Sequence, residues 1–147
     1  MKEMSLYIHI PFCKQKCLYC DFPSYAGKEN LIDEYITALN KEILNKCLDF
    51  KIISIFIGGG TPSYLDERNL ESLLKTINLL NLEDNIEFTV ECNPGTLNEE
   101  KLRIMKKHNV NRISMGLQST NDSLLKEIGR IHTFEEFKNW VKIGGYC

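Results

Sequence analysis

The sequence lacks several features that would assign it to a special class of protein. No apolar run in its 147 residues approaches the roughly 18 that a membrane-spanning helix requires, and residues 1–4 do not begin a signal peptide. A net charge of −2 lacks the basic excess of most nucleic-acid-binding domains. We therefore expect a cytoplasmic protein without a membrane span and without a nucleic-acid partner.

Low-complexity segments, charge blocks and internal linkers are also absent, which indicates one domain over residues 1–147. A reducing cytoplasm makes a disulfide framework a poor explanation for the six cysteines. Of these, Cys47 and Cys92 are expected to be packing residues, and Cys147 has no assigned role. Residues 142–147 follow a predicted helix where a further strand would be expected, so the chain is interpreted as truncated at its C-terminus.

Strands and helices are predicted to alternate along the chain. Runs rich in apolar and β-branched residues indicate strands over residues 5–10, 52–57, 86–92 and 112–116. Helices are predicted over residues 30–48, 66–80, 96–108, 121–129 and from 133 onward. This alternation predicts right-handed crossovers and a parallel sheet in an α/β fold. Such a sheet would have an open edge, so we expect part of a larger barrel.

Local residue patterns predict where three of the helices start. Asp66 is predicted to cap the second helix. Two later helices begin with the S/T-x-x-E spacing of a capping box. The pairs are Thr96 with Glu99 and Thr133 with Glu136.

Parallel sheets of this kind bind ligands at the carboxyl ends of their strands. The unusual residues of this sequence follow the predicted strands. They are Cys13, Cys17 and Cys20 after the first, glycines 58–60 with Thr61 after the second, Glu91 at the end of the third, and Gln118 after the fourth. We therefore expect a functional site at this edge of the sheet.

The three cysteines have the spacing C-x3-C-x2-C. Three thiolates are one fewer than the four that hold an ordinary iron–sulfur cluster or a structural zinc ion. A cubane cluster with three protein ligands would leave one iron open to another ligand. Two alternatives stay open at this point: a zinc ion with a fourth ligand such as His9, or three unrelated thiols.

The other residues at this edge are each open to a second interpretation. Glycines let a ligand approach the backbone closely, although such a run can also be a simple turn. Glu91 could hold a ribose hydroxyl or an ammonium group, or could be an exposed side chain at a strand end. Gln118 and Arg130 could bind a polar ligand, but their residue types alone are better explained by solvated side chains.

The cysteine spacing after an N-terminal strand resembles that of the radical S-adenosylmethionine (AdoMet) superfamily. The resemblance implies a partial (β/α)6 barrel, of which this chain would be the N-terminal portion with about four β/α units. It also implies a [4Fe–4S] cluster on Cys13, Cys17 and Cys20, whose fourth iron is chelated by the amine and carboxylate of AdoMet. Reduction would then cleave AdoMet to methionine and a 5′-deoxyadenosyl radical, so an electron donor is an expected partner.

Four segments narrow the resemblance to the oxygen-independent coproporphyrinogen III oxidases and their relatives. The segments are residues 6–13, 58–62, 91–94 and 115–119. The resemblance implies that Tyr7, Gly59 and Glu91 contact the cluster-bound AdoMet. It also implies that a second AdoMet is surrounded by Tyr19, Gly60, Thr61, Gln118 and Arg130.

Position 22 departs from the oxidase pattern. The oxidases have a further cysteine two residues past the third cluster ligand, whereas this sequence has Phe22 there. Cys-Asp-Phe resembles the haem chaperones of the group, which bind haem and insert it into haem proteins. The resemblance therefore implies a haem chaperone, with haem or a porphyrin as a partner of the full-length protein. The oxidase of porphyrin biosynthesis and an inactive fragment stay open as alternatives.

Overall fold

The computed structural model describes residues 1–144 and contains a four-stranded parallel sheet with helices in the connections. The strands are β1 (Lys2–Ile10), β2 (Phe50–Gly59), β3 (Asn81–Cys92) and β4 (Arg112–Met115). The helices are α1 (Ile32–Cys47), α2 (Glu67–Ile77), α3 (Glu99–Lys107), α4 (Asp122–Glu127) and α5 (Phe134–Gly144). Single 3-10 turns precede α1 (Glu29–Leu31) and follow β2 (Pro62–Tyr64) and β3 (Pro94–Thr96).

The strands lie in the order β1-β2-β3-β4, and every neighbouring pair is parallel. Sequential order is what short right-handed crossovers produce. Ile10 lies opposite Gly59, and Glu91 lies opposite Ser114, so the carboxyl ends of the strands meet at one edge. The predicted α/β alternation and parallel sheet are therefore confirmed.

The core lies between the sheet and its helices. In β2 the side chains of Ile52, Ile55 and Ile57 are almost fully buried. The apolar stripe of α2 is also buried, and it consists of Leu70, Leu73, Leu74 and Ile77. Cys47 and Cys92 are buried in the same core, as expected of packing thiols, and burial raises the pKa of Cys92 to about 12.

Among the predicted boundaries, the starts of β3 and α3 are wrong. β3 begins at Asn81 rather than at residue 86, because Asn81 and Leu82 pair with Lys51 and Ile52 of β2 ahead of a register shift. Nothing in the polar run itself indicates a strand. α3 is capped by Asn98, whose side chain accepts from the Lys101 N–H at 2.8 Å, and not by Thr96.

The helices α2 and α5 start with the caps predicted for them. The Asp66 side chain accepts from the Asn69 N–H at 2.7 Å. Thr133 and Glu136 form the reciprocal bonds of a capping box, at 3.2 Å and 2.7 Å.

The last described helix, α5, packs against the 3-10 turn after β3, where the Trp140 indole N–H donates to the Pro94 carbonyl at 2.9 Å. Within residues 1–144 no helix is long and apolar enough to cross a membrane. The expectation about Cys147 lies outside the described residues, as does most of the interpretation of residues 142–147.

Candidate metal centre and cofactor site

A cavity of about 310 Å³ opens at the carboxyl edge of the sheet. It is lined by Gly60, Thr61, Pro62, Glu91, Cys92, Asn93, Ser114, Met115, Gly116, Gln118 and Arg130. Five of the residues predicted from the sequence are thus brought together: Gly60, Thr61, Glu91, Gln118 and Arg130. A wider groove of about 610 Å³ lies between segments 82–86 and 106–111 and contains no predicted site residue.

The three remaining predicted contacts do not line the cavity. The Gly59 N–H donates to Glu91 at 3.2 Å. Tyr19 lies 3.5 Å from a guanidinium nitrogen of Arg130. Tyr7 is 55% exposed and donates through its hydroxyl to His9 at 3.0 Å. The structure therefore groups all eight residues near one edge, but only five around the cavity.

The loop that carries the cysteines is closed by backbone hydrogen bonds. The Cys13 N–H donates to the Tyr25 carbonyl at 3.0 Å, and the Tyr25 N–H donates to the Pro11 carbonyl at 2.8 Å. The far side of the loop is attached to the end of α4, where the Leu18 N–H donates to the Ile128 carbonyl at 3.2 Å. Hydrogen bonds therefore anchor the loop at its base, where Cys13 and Tyr25 meet, and again at Leu18.

Each of the three sulfur atoms has a polar neighbour. Cys13 is buried, and its Sγ accepts from the Thr61 hydroxyl at 3.4 Å. The Sγ of Cys17 lies 3.7 Å from an Arg130 nitrogen. The Sγ of Cys20 lies 3.9 Å from the Ser24 hydroxyl oxygen. The first two contacts join the cysteine loop to the cavity.

The donor set argues against the zinc alternative. His9 donates from Nε2 to the Pro23 carbonyl at 2.8 Å and accepts at Nδ1 from the Tyr7 hydroxyl, so both ring nitrogens are engaged. Within residues 1–144 no three Cys, His, Asp or Glu side chains are grouped so that they could hold one metal ion. A structural zinc site places four ligands on one ion, whereas a cubane cluster binds each thiolate at a separate iron. Three thiols without a fourth protein ligand fit a cluster with an open iron.

The three consecutive glycines each permit a close approach. A Cβ atom on Gly58 would lie 2.7 Å from Glu91 Oε2, and one on Gly60 would lie 2.7 Å from the Phe12 carbonyl and 3.0 Å from the Cys13 sulfur. Gly59 has a φ of +111°, and its Cβ would lie 2.6 Å from the His9 ring. Beyond letting a ligand approach, this run therefore lets the cysteine loop and Glu91 lie close to β2.

The charges at this edge act on the nearby phenols. Partial burial and then the negative charge of Glu91 raise the pKa of Tyr7. Burial also raises the pKa of Tyr19, with the Arg130 guanidinium opposing that shift. Arg130 itself donates to the Gly116 carbonyl at 2.6 Å and so connects the loop after β4 to the cysteine loop.

Sequence reasoning did not single out several cavity residues, including Asn93, Ser114 and Gly116. Ser114 lies opposite Glu91 in the pairing of β3 with β4, a register that local sequence patterns do not indicate. His132 was also not singled out. It is buried and bonds to the Leu117 carbonyl, next to the cavity residue Gln118, at 3.2 Å.

The model of the radical SAM superfamily matches residues 7–143 of this chain. The chain therefore belongs to the radical SAM superfamily, and the predicted resemblance is confirmed. Membership implies a [4Fe–4S] cluster and AdoMet.

Two relatives with high sequence identity to this chain have names more specific than that of the superfamily. The chain is 45% identical over 149 residues to the heme chaperone HemW of Bacillus subtilis, covering 95% of this chain and 39% of the relative. It is 47% identical over 133 residues to HemW of Lactococcus lactis, covering 90% of this chain and 35% of the relative. The chain thus spans less than two-fifths of these relatives.

One solved structure has nearly the same fold over the whole chain. Coproporphyrinogen III oxidase (HemN) from Escherichia coli, described as a radical SAM enzyme, superposes with a TM-score of 0.88 at 24% identity. The match covers 98% of this chain and 34% of the oxidase. The likeness confirms the fold as the N-terminal portion of a radical SAM barrel.

Proposed function

We propose that this chain holds a [4Fe–4S] cluster through Cys13, Cys17 and Cys20 and binds AdoMet in the adjoining cavity. The observation that carries the proposal is that two cavity residues contact the cysteine loop directly. Thr61 donates to the Cys13 sulfur at 3.4 Å, and Arg130 lies 3.7 Å from the Cys17 sulfur. A ligand in the cavity is therefore next to the thiols.

The proposed roles follow from the group at each position. When bound, the cluster supplies one electron for the cleavage of AdoMet. Glu91 has one carboxylate oxygen held by the Gly59 N–H and a second that is able to accept from an ammonium group or a ribose hydroxyl. Tyr7 and Gly59 complete the contacts proposed for this AdoMet.

The residues proposed for a second AdoMet are Tyr19, Gly60, Thr61, Gln118 and Arg130. All except Tyr19 line the same cavity as Glu91, which is proposed for the cluster-bound AdoMet. A volume of about 310 Å³ is at the lower end of the range of roughly 300–1,000 Å³ usual for ligand pockets. This size supports one ligand within the described residues rather than two.

For the whole protein we propose a haem chaperone of the coproporphyrinogen-oxidase-like group, in which this chain is one radical SAM domain. The HemW relatives and Phe22 support this choice. Haem, an electron donor and a cytoplasmic location belong to the same proposal. Coproporphyrinogen oxidation is the second candidate, favoured by the fold likeness to the oxidase. Haem titration of the full-length protein, beside porphyrinogen turnover, separates the two.

Iron loading tests the metal centre directly. After anaerobic reconstitution with iron and sulfide, we expect about four iron atoms per chain. Alanine at Cys13, Cys17 or Cys20 should abolish this loading. Cys47→Ala is the matched control, because Cys47 is buried on α1, away from the cysteine loop. Full loading of all three cysteine variants, or loss of loading in the control alone, would refute the assignment.

A further inference from the structure

The loop after β4 contains a strained turn at the mouth of the cavity. Gln118 has a φ of +68°, which is uncommon for a residue other than glycine. The Ser119 N–H donates to the Leu117 carbonyl at 2.9 Å across it. A bond from residue i to residue i+2 around a positive φ defines the rarer, strained form of γ-turn. Such a conformation persists only where surrounding contacts hold it.

Two side chains from one short segment hold this turn. Arg130 donates to the Gly116 carbonyl at 2.6 Å, and His132 donates from Nε2 to the Leu117 carbonyl at 3.2 Å. The Leu117 carbonyl thus accepts both the bond that closes the turn and the bond from His132. Arg130 belongs to the cavity, whereas the proposed function uses no atom of His132.

Burying a histidine at position 132 for packing alone would cost free energy. It is 3% exposed, and within residues 1–144 its Nδ1 has no hydrogen-bond partner. A carbonyl oxygen only accepts, so Nε2 carries the hydrogen. Burial and the charge of Arg130 lower the pKa of His132, which agrees with a neutral ring. An apolar side chain would avoid the unpartnered nitrogen but would lose the bond to Leu117.

We propose that His132 is a positioning residue for AdoMet: by donating to the Leu117 carbonyl it holds Gln118 in the left-handed conformation that lines the cavity. The AdoMet part of this inference rests on the proposed function. The part that concerns the turn does not, because it involves only contacts within the chain.

Two neutral substitutions separate this role from simple packing. In His132→Gln the side-chain amide nitrogen lies near the former Nε2 and keeps a donor for the Leu117 carbonyl. In His132→Asn the amide nitrogen lies near the former Nδ1 and falls short of it. Hydrogen exchange of the Ser119 amide in the ligand-free chain reads out the turn. We expect exchange about threefold to tenfold faster in His132→Asn and close to wild type in His132→Gln.

The ligand-free result decides the structural claim. Equal exchange rates in the two variants, whether both fast or both slow, would overturn it. Thermal melts accompany the measurement. If His132→Asn does not fold, His132→Leu takes its place as the variant without a donor, since it fills the buried space without a polar atom.

AdoMet affinity of the reconstituted chain tests the functional claim. We expect AdoMet to bind about threefold to tenfold more weakly to His132→Asn than to wild type, with unchanged iron content and with His132→Gln close to wild type. If the wild-type chain binds AdoMet and the two variants bind it equally well, this inference fails and the proposed function stands. If the wild-type chain takes up neither cluster nor AdoMet, the proposed function fails and the AdoMet role of His132 fails with it.

Discussion

Gly58 and Glu91 lie so close together that a Cβ atom on Gly58 would be 2.7 Å from Glu91 Oε2. The carboxylate reaches the backbone of β2 only because position 58 has no side chain. The Gly59 N–H on the neighbouring strand then holds the Glu91 carboxylate at the cavity.

Gly58→Ala should displace the Glu91 carboxylate, because the added methyl group would lie 2.7 Å from both Glu91 Oε2 and the Phe56 ring. We expect AdoMet affinity to fall about tenfold with little change in iron content. Equilibrium binding to the reconstituted chain measures this. A double-mutant cycle with Glu91→Gln is the control, since alanine should add little once the carboxylate is gone. Additive losses would show that Gly58 acts by another route.

Glu91→Gln should also lower the pKa of Tyr7. The negative charge of Glu91 disfavours the tyrosinate and raises this pKa, so removing the charge moves it back toward the ordinary value, while partial burial keeps some of the shift. An ultraviolet titration of wild type and variant, with Tyr7→Phe to identify the signal, measures the change. An unchanged or higher Tyr7 pKa would mean that the two groups do not interact.

Thr61→Val should make the cluster harder to reduce. A hydrogen bond to a ligating sulfur stabilises the more negative, reduced cluster, so its loss should lower the reduction potential by about 40 mV. Thr61→Ser keeps the hydroxyl that donates to Cys13 and should stay close to wild type. Potentiometric titration followed by electron paramagnetic resonance (EPR) spectroscopy gives both values. Equal potentials for the two variants would count against this contact.

The lowered pKa of Glu71 predicts a contribution to the stability of the fold that is lost in acid. Its hydrogen bond to Lys107 at 2.9 Å is the main reason that its pKa falls from 4.5 to about 2. A lowered carboxyl pKa stabilises the fold above pH 4.5, and this contribution is lost as the pH falls toward 2. Urea midpoints of wild type and Lys107→Gln should differ at neutral pH and converge near pH 2. Lys106→Gln removes the same charge one position earlier and is the control.

Much of the fold could be predicted from local patterns. The apolar run of β2, the Asp66 cap and the Thr133 capping box all act within a few residues, so the sequence alone indicates them. The first residues of β3 could not be predicted, because their pairing with Lys51 and Ile52 depends on the register of a distant strand.

The site likewise combines features that local patterns indicate with contacts that they do not indicate. The cysteine spacing and the glycine run are visible in the sequence and led to the edge that carries the cavity. The bond between Thr61 and Cys13 joins residues 48 positions apart and was not predicted. The turn at Gln118 was also missed, because it depends on a carbonyl that His132 reaches from the next segment. Residue type predicts which chemistry is present, and packing decides which groups meet.

The most direct test of the central claim is the EPR spectrum of the reduced, reconstituted chain before and after AdoMet is added. Three cysteine ligands leave one iron open, so AdoMet binding should change the spectrum, and 5′-deoxyadenosine should then be detected. The change should be absent in Cys17→Ala and present in Cys47→Ala. A wild-type spectrum unaffected by saturating AdoMet, or high-affinity zinc binding without 5′-deoxyadenosine, would contradict the account.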